Sequence, residues 1–587
     1  MSVSGWIQLL VYVALLLAIT KPMGLYLLKV LDPAMGGPKM LLERLCAPIE
    51  RLIYKVCRVD RDREQNWKQY SVAMIMFSLI TTLFTYVILR FQDKLPLNPQ
   101  KLPAIADHLA FNTAVSFTTN TNWQSYAGEA TMSYLSQMVA LASHNFWSAA
   151  TGIAIAAAVV RGIARNRATT IGNFWVDLIR IHLYLLLPIC LLYAVFLVSQ
   201  GMIQNFKPYT TATVMDQSNA ASTTQPSQQT IVQGPMASQI AIKMLGTNGG
   251  GYTNANAAHP FENPTPLSNM IQMLSIFSIG SGLTYYLGRM VKKQAHGWAV
   301  WACMFIMFLG GVLICWGAES HGNPRVAELG VANGTSSFEG KETRFGQFAS
   351  SLFVTITTDA SCGAVNCMHD SLTPLAGMVP LFNIQTGEVI FGGVGAGLYG
   401  MMIFIILAIF IAGLMVGRTP EYLGKKIEGF DMKCAVLAIA APSLAVLAFT
   451  AYAVVSDWGQ AGTNNTGPHG FSEILYAYTS GAGNNGSAFA GLTAAPANGD
   501  RHYDVTLGFD MLIGRFIMIV PLLALAGHMA SKRAVAVSTG SFPVSGATFT
   551  LLLVATVVIV GALTFLPGLA FGPIVEHYMM WGSNVTY

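Results

Sequence analysis

The 587-residue chain is 53% hydrophobic and only 10% charged, where soluble domains carry about 25% charged residues. Residues 389–417 and 134–160 contain no Asp, Glu, Lys or Arg. Charge-free runs of this kind recur along the chain and exceed the ~20 apolar residues that cross a bilayer. Soluble, disordered and fibrous classes are thereby excluded. The net charge of +5 is small and scattered, so no nucleic-acid partner is expected. The cysteines (Cys46, Cys57, Cys190, Cys303, Cys315, Cys362, Cys367 and Cys434) lie mostly in apolar runs or basic loops, which argues against a disulfide framework. Residues 2–20 lack a basic leader region and a small-residue cleavage site. They read as a retained first helix.

Hydropathy predicts an all-α polytopic membrane protein with ten transmembrane helices, at 4–27, 69–90, 134–160, 181–203, 266–288, 298–318, 389–417, 434–456, 508–530 and 546–571. Alternate loops fall into two sets. The set 29–68, 161–180, 289–297, 418–433 and 531–545 holds 22 of the 33 Lys and Arg residues. By the positive-inside rule it is cytoplasmic, which puts both termini outside. These basic residues read as topology signals against membrane lipid.

The opposite loops after spans 2, 4, 6 and 8 are long. Each carries a short apolar stretch, too short to span, followed by a Gly/Asn/Thr/Ser-rich stretch. Such segments suit re-entrant structure, because irregular backbone at membrane depth survives only buried in protein or lining a cavity. The four align as Ala114–Asn122, Lys243–Gly249, Thr355–Gly363 and Tyr478–Gly486. The unit helix–pore loop–helix thus occurs four times in pseudo-symmetric repeats, at 69–160, 181–288, 298–417 and 434–530, with an extra helix at 1–30 and another at 546–587. A dehydrated monovalent cation needs a ring of oxygens, and extended backbone supplies carbonyls when small residues allow close approach. Gly249, Gly363 and Gly486 tolerate positive φ, and Asn122 is the next best residue at the equivalent place. Thr121, Thr247, Ser361 and nearby Asn side chains add oxygens.

The chain closely resembles the KdpA family, the potassium-binding subunits of bacterial Kdp potassium pumps. The resemblance covers nearly all of it. The stretches that carry it are Asn112–Phe117, Asn120–Tyr126, Ala241–Gly251, Asn254–Asn256, His259–Pro264, Ser361–Val365, Met368–Asp370, Gly417–Lys426, Gly467–Glu473 and Asn484–Leu492. It implies a fold of the potassium transporter superfamily type in a bacterial inner membrane. It also implies K+ as the transported ion, and a complex with a P-type ATPase subunit (KdpB), a single-span subunit (KdpC) and a small peptide (KdpF). By the motif match the selectivity filter falls on Asn120-Thr121-Asn122, Thr247-Asn248-Gly249, Ser361-Cys362-Gly363 and Asn484-Asn485-Gly486. Gln124 matches a filter-adjacent glutamine important for affinity. The polar stretch 210–229 is longer than the family's usual loop and reads as a tolerated insertion. Asp359, two residues before the third triplet, is a second departure. It reads either as a carboxylate that enriches cations near the mouth or as one that hydrogen-bonds the filter backbone.

Glycines 392, 393, 395, 397 and 400 interrupt the seventh span early. Gly393, Gly395 and Gly397 mark either a broken helix or gate beneath the third loop or close packing. Asp510, Arg515 and Lys243 are intramembrane charges. Arg515 is a candidate inner-vestibule cation that stops ions passing straight inward. His144, His182, His259, His369 and His469 are expected to be structural, not a metal site. There is no G-x-x-x-x-G-K-[ST] loop and no Asp-Lys-Thr-Gly motif, so no ATP site and no catalysis is expected in this chain. Two functions remain open: the ion-selecting subunit of an ATP-driven potassium uptake pump, or a stand-alone potassium channel or gradient-driven transporter of the same architecture.

Overall fold

The computed structural model describes residues 1–37, 41–215, 228–330, 337–496, 499–535 and 542–582. Of the 210–229 stretch, residues 216–227 lie outside the described residues. Its flanks, Thr210–Thr213 and Gln228–Ile231, pair as an antiparallel ribbon.

Among the described residues, nine helices are long and apolar enough to cross a membrane: Val3–Leu31, Trp67–Arg90, Ser136–Ala164, Phe174–Ser199, Gln294–Glu328, Gly393–Met415, Gly429–Val454, His502–Ser531 and Ala547–Trp581. The span expected at 266–288 is also helical, as Pro266–Met290, but is less apolar. Its Ser268, Asn269, Gln272, Ser278, Ser281 and Thr284 are buried against protein. It touches Val3–Leu31 through Tyr12, whose hydroxyl donates to the Met273 carbonyl (3.3 Å), and through Thr20 and Ser281, whose hydroxyls meet at 2.5 Å. A helix that faces protein needs no lipid-compatible surface.

The order long helix, short helix, loop, long helix occurs four times. The short helices are Asp107–Thr118, Met236–Leu245, Gly346–Asp359 and Gly467–Gly483. Three of the long helices that precede a short one are outer walls. Trp67–Arg90 and Phe174–Ser199 are 39% buried and Gly429–Val454 33% buried over their most apolar stretch. The long helices after the first and third are inner: Ser136–Ala164 reaches 89% and Gly393–Met415 72%, while Gln294–Glu328 (50%) and His502–Ser531 (56%) fall between the two groups.

Three expectations need correction. The loop 29–68 holds a helix, Leu41–Val56. Its Glu43 and Glu50 face the protein and pair with Arg180, while Leu45, Ile49, Leu52 and Val56 are exposed. The seventh span does not start at 389. A helix Pro374–Gln385 comes first, residues 386–392 are irregular, Gly393–Gly395 form one tight turn, and the helix resumes as Ala396–Met415. The basic loops are not all bare topology signals. Arg161 forks onto Asp177 (2.7 and 2.9 Å) and reaches Asp32 (2.9 Å). The same two carboxylates accept from Tyr70 (3.0 Å) and Tyr286 (2.5 Å). Backbone bonds Ala168–Ala530 and Val535–Gly424 (both 2.9 Å) join these loops into one basic face.

Candidate ion-binding site

Each short helix ends the same way. The second residue of each triplet donates its N–H to the carbonyl five residues back: Thr121 to Ser116 and Asn248 to Lys243 (2.9 Å), Cys362 to Thr357 and Asn485 to Ser480 (3.0 Å). This 6→1 bond closes a helix when the residue before it is left-handed. Asn120 (φ 68°), Thr247 (47°), Ser361 (52°) and Asn484 (59°) all are. The left-handed conformation returns two residues later at Asn122 (54°), Gly249 (84°) and Gly486 (91°). Gly363 alone of the third positions stays outside it. Thr and Ser pay about 1–2 kcal/mol for such a φ, and strain of this kind clusters at functional sites. Alternating hands turn successive carbonyls to the same side, which is what an ion-coordinating strand requires.

The four loops close into a ring in chain order. Asn120 Nδ2 donates to Thr247 O (3.2 Å). A Cβ on Gly249 would overlap the Gly363 amide, and one on Gly363 would stand 2.7 Å from Gly486 C. A Cβ on Gly486 would overlap the Thr121 carbonyl oxygen. Ser361 Oγ donates to Asn484 O (3.0 Å) and Asn484 Nδ2 to Thr121 Oγ1 (3.0 Å). All twelve triplet residues are buried. The short helices aim their C-terminal, negative ends at this ring.

Neighbouring elements hold the ring. Gln124 bridges loops one and two: its Nε2 donates to Gly251 O (3.1 Å) and its Oε1 accepts from Gly251 N (2.9 Å). Ser148 Oγ donates to Asn120 Oδ1 (2.7 Å), and Asn122 Nδ2 donates to Asn145 Oδ1 (3.1 Å). Val394 N donates to Thr247 Oγ1 (2.9 Å), so the break in the seventh span lies against the second loop. Gly393 faces Ser361, and Gly395 (φ 104°) faces the Gly152 carbonyl. Beneath the third and fourth loops is a cavity of about 90 Å³, lined in part by Ser361, Glu388, Tyr399, Asn484 and Arg515.

Asp359 is fully buried on the last turn of the third short helix, not exposed at a mouth. Among the described residues neither carboxylate oxygen has a hydrogen-bond partner, so it does not bond the loop backbone either. Asp510 and Arg515 form no ion pair among the described residues. Asp510 Oδ2 instead abuts Gly481, 2.5 Å from where a Cβ would stand, and Arg515 lies within a π-helical turn, Ile513–Ile517, that follows it. His144 bridges Thr85 (2.7 Å) and Thr118 (3.0 Å). His469 lies with Asp370 and Glu473 within metal-ligand reach, but both ring nitrogens are occupied by the carboxylates of Asp370 (2.8 Å) and Glu576 (2.6 Å).

Sequence reasoning missed Glu388. It is left-handed (φ 51°), buried, and accepts from Asn485 Nδ2 at 2.6 Å. Its only signal was its place as the last charge before the 29-residue uncharged run.

The arrangement defines a class: a polytopic helical membrane protein whose four re-entrant loops meet in one buried ring of oxygens. A family model described as "Potassium-transporting ATPase A subunit" (KdpA) matches residues 10–578. A potassium-transporting ATPase potassium-binding subunit of Koribacter versatilis is 54% identical over 99% of both chains. That of Solibacter usitatus is 55% identical over 99% of both. The solved potassium transporter TrkH from Vibrio parahaemolyticus is 14% identical, with a TM-score of 0.48 over 76% of this chain and 84% of that one. The chain belongs to the KdpA family.

Proposed function

We propose that this chain is the potassium-binding, ion-selecting subunit of an ATP-driven potassium uptake pump in a bacterial inner membrane. K+ binds from outside in a filter made by the triplets at Asn120–Asn122, Thr247–Gly249, Ser361–Gly363 and Asn484–Gly486, one from each of four repeats bounded as 69–160, 181–288, 298–417 and 434–530. The carbonyls and Thr/Ser/Asn oxygens replace the ion's water shell, and four helix C-termini favour its charge. Gln124 holds the outer rim. The break at Gly393–Gly397 and the Arg515 side chain lie on the inner side and block straight passage inward. The ion passes sideways to a P-type ATPase subunit (KdpB), with KdpC and KdpF in the same complex. The subunit itself is non-catalytic and carries no ATP site. Both termini are extracytoplasmic and the basic face is cytoplasmic.

The observation that carries this reading is the closed ring of four equivalent loops, each strained at the same position. The experiment is rubidium tracer uptake into liposomes, with the chain alone and then with its co-expressed partners plus ATP, using Gly249→Asp as control. Uptake only with partners and ATP, lost in the variant, is expected. Fast uptake by the chain alone would establish an autonomous channel or transporter instead.

A further inference from the structure

The four loops are not equally supported from behind. The residue whose carbonyl closes each short helix is Ser116, Lys243, Thr357 or Ser480. Three are hydroxyl residues that touch their own loop. Ser116 Oγ donates to Trp123 O (2.9 Å), Thr357 Oγ1 to Ala364 O (2.7 Å) and to the Cys362 carbonyl, and Ser480 Oγ accepts from Gly486 N (3.0 Å). Lys243 breaks the pattern. Its ammonium reaches past its loop to Glu262 Oε2 (2.8 Å) and to Asn256 Oδ1, with both charged side chains fully buried. The other Glu262 oxygen accepts from Thr253 N (2.5 Å) and Thr253 Oγ1 (2.9 Å). Asn256, left-handed at φ 54°, donates Nδ2 to the Gly249 carbonyl at 2.7 Å. Among the described residues no side chain donates to the carbonyls of Asn122, Gly363 or Gly486.

We propose that Asn256, oriented by the Lys243–Glu262 pair, is a specificity-determining positioning residue that fixes the Gly249 carbonyl and makes it the weakest and most rigid of the four third-position oxygens. This rests on the filter reading above. An ammonium on the amide oxygen polarises Asn256 and strengthens its N–H as a donor. A donor on the back of a carbonyl draws density from the lone pair left for an ion and pins its position. The number and field strength of the carbonyls set which cation is preferred, so one pinned quadrant gives a fourfold ring a built-in asymmetry.

The test is tracer uptake by the reconstituted assembly, with K+ and Rb+ titrated separately. Asn256→Asp keeps the shape and the Lys243 contact but cannot donate. It is expected to shift the K+ half-saturation by about tenfold, which is about 1.4 kcal/mol, to change the K+/Rb+ ratio, and to leave the maximal rate near wild type. The neutral pair Lys243→Met with Glu262→Gln is expected to shift both in the same direction by less. A wild-type half-saturation and ratio in assembled Asn256→Asp overturns the proposal. So does a fall in maximal rate with the ratio unchanged, which would make the group a structural brace. If Asn256→Asp does not assemble, the neutral pair decides on the same readouts, and failure of both assigns the group to folding and overturns the proposal. Normal transport by Gly249→Asp would overturn the filter reading itself. Loss there with a silent Asn256→Asp removes this inference alone.

Discussion

The ring of loops and the basic face both bury polar groups at the ends of helices, and they do so in opposite ways. On the basic face every partner is a side chain or carbonyl of the same protein. Arg161 spends its guanidinium on Asp177, Asp32 and the Leu31 carbonyl (2.8 Å). The Lys425 ammonium donates to the carbonyls of Gly162 (3.3 Å), Ile163 (2.8 Å), Met529 (2.8 Å) and Arg165. It thereby satisfies the open ends of two long helices at once. In the ring, the helix ends are closed by strained backbone, and buried oxygens of Asn122 and Asn248 have no partner among the described residues. A face whose buried charges are paired from within is an anchor. A ring that leaves oxygens unanswered has room for the ion that the proposed function assigns to it.

Three substitutions break or sharpen this contrast, in falling order of effect. Gly486→Ala puts a methyl group into the Thr121 carbonyl at φ 91°. Uptake should fall to background while the protein still assembles, as rubidium tracer and membrane yield would show together. Retained uptake would mean the loops need not touch. Arg161→Met should do the reverse. Leaving Asp177 buried, and Asp32 half-buried, without their cation costs about 3–5 kcal/mol, so thermal unfolding of the solubilised protein should move sharply down. Uptake per folded molecule should hold, and a change in ion preference would deny that the two regions are separate.

The smallest effect concerns His469, which lies outside the long apolar helices yet is paired as on the basic face. Burial alone would lower its pKa, but hydrogen bonds to Asp370 and Glu576 outweigh burial and raise it to about 10. Its folded pKa therefore lies above the ordinary value of about 6.5. The stability it adds is fully present below that value and is lost as the pH rises through about 10. The melting temperature should drop between pH 7 and 10.5, and His469→Gln should remove that component of the drop. An identical pH profile in the variant would take the imidazolium out of the account.

The four loops could be read in the sequence because ring closure demands small or left-handed-tolerant residues at fixed offsets, and Gly249, Gly363, Gly486 and Asn122 meet that demand. Helix Pro374–Gln385 could not. At 12 residues with two prolines, it is too short for a span, and its start signal, Thr373-Pro374, opens a stretch that a second proline, Pro380, interrupts. Hydropathy still marks 266–288, although the serines of Pro266–Met290 face protein and mute it relative to its neighbours. Glu388, and the contact that Asn256 makes, were not legible for a different reason. Each acts through a contact with a residue far away or on another turn of backbone, and nothing in local composition separates a buried Asn that grips a carbonyl from one that ends a turn. Lys243 stood out as a charge, but its meaning depended on Glu262 and Asn256 arriving beside it.

The ring closes in chain order within a single polypeptide. In a pore made of four identical subunits, one codon change alters every quadrant together. Here a codon change alters one. Each loop has its own genetic address, so under the proposed function ion preference can be adjusted a quarter at a time, and Ser116, Lys243, Thr357 and Ser480 already make the four loops unequal.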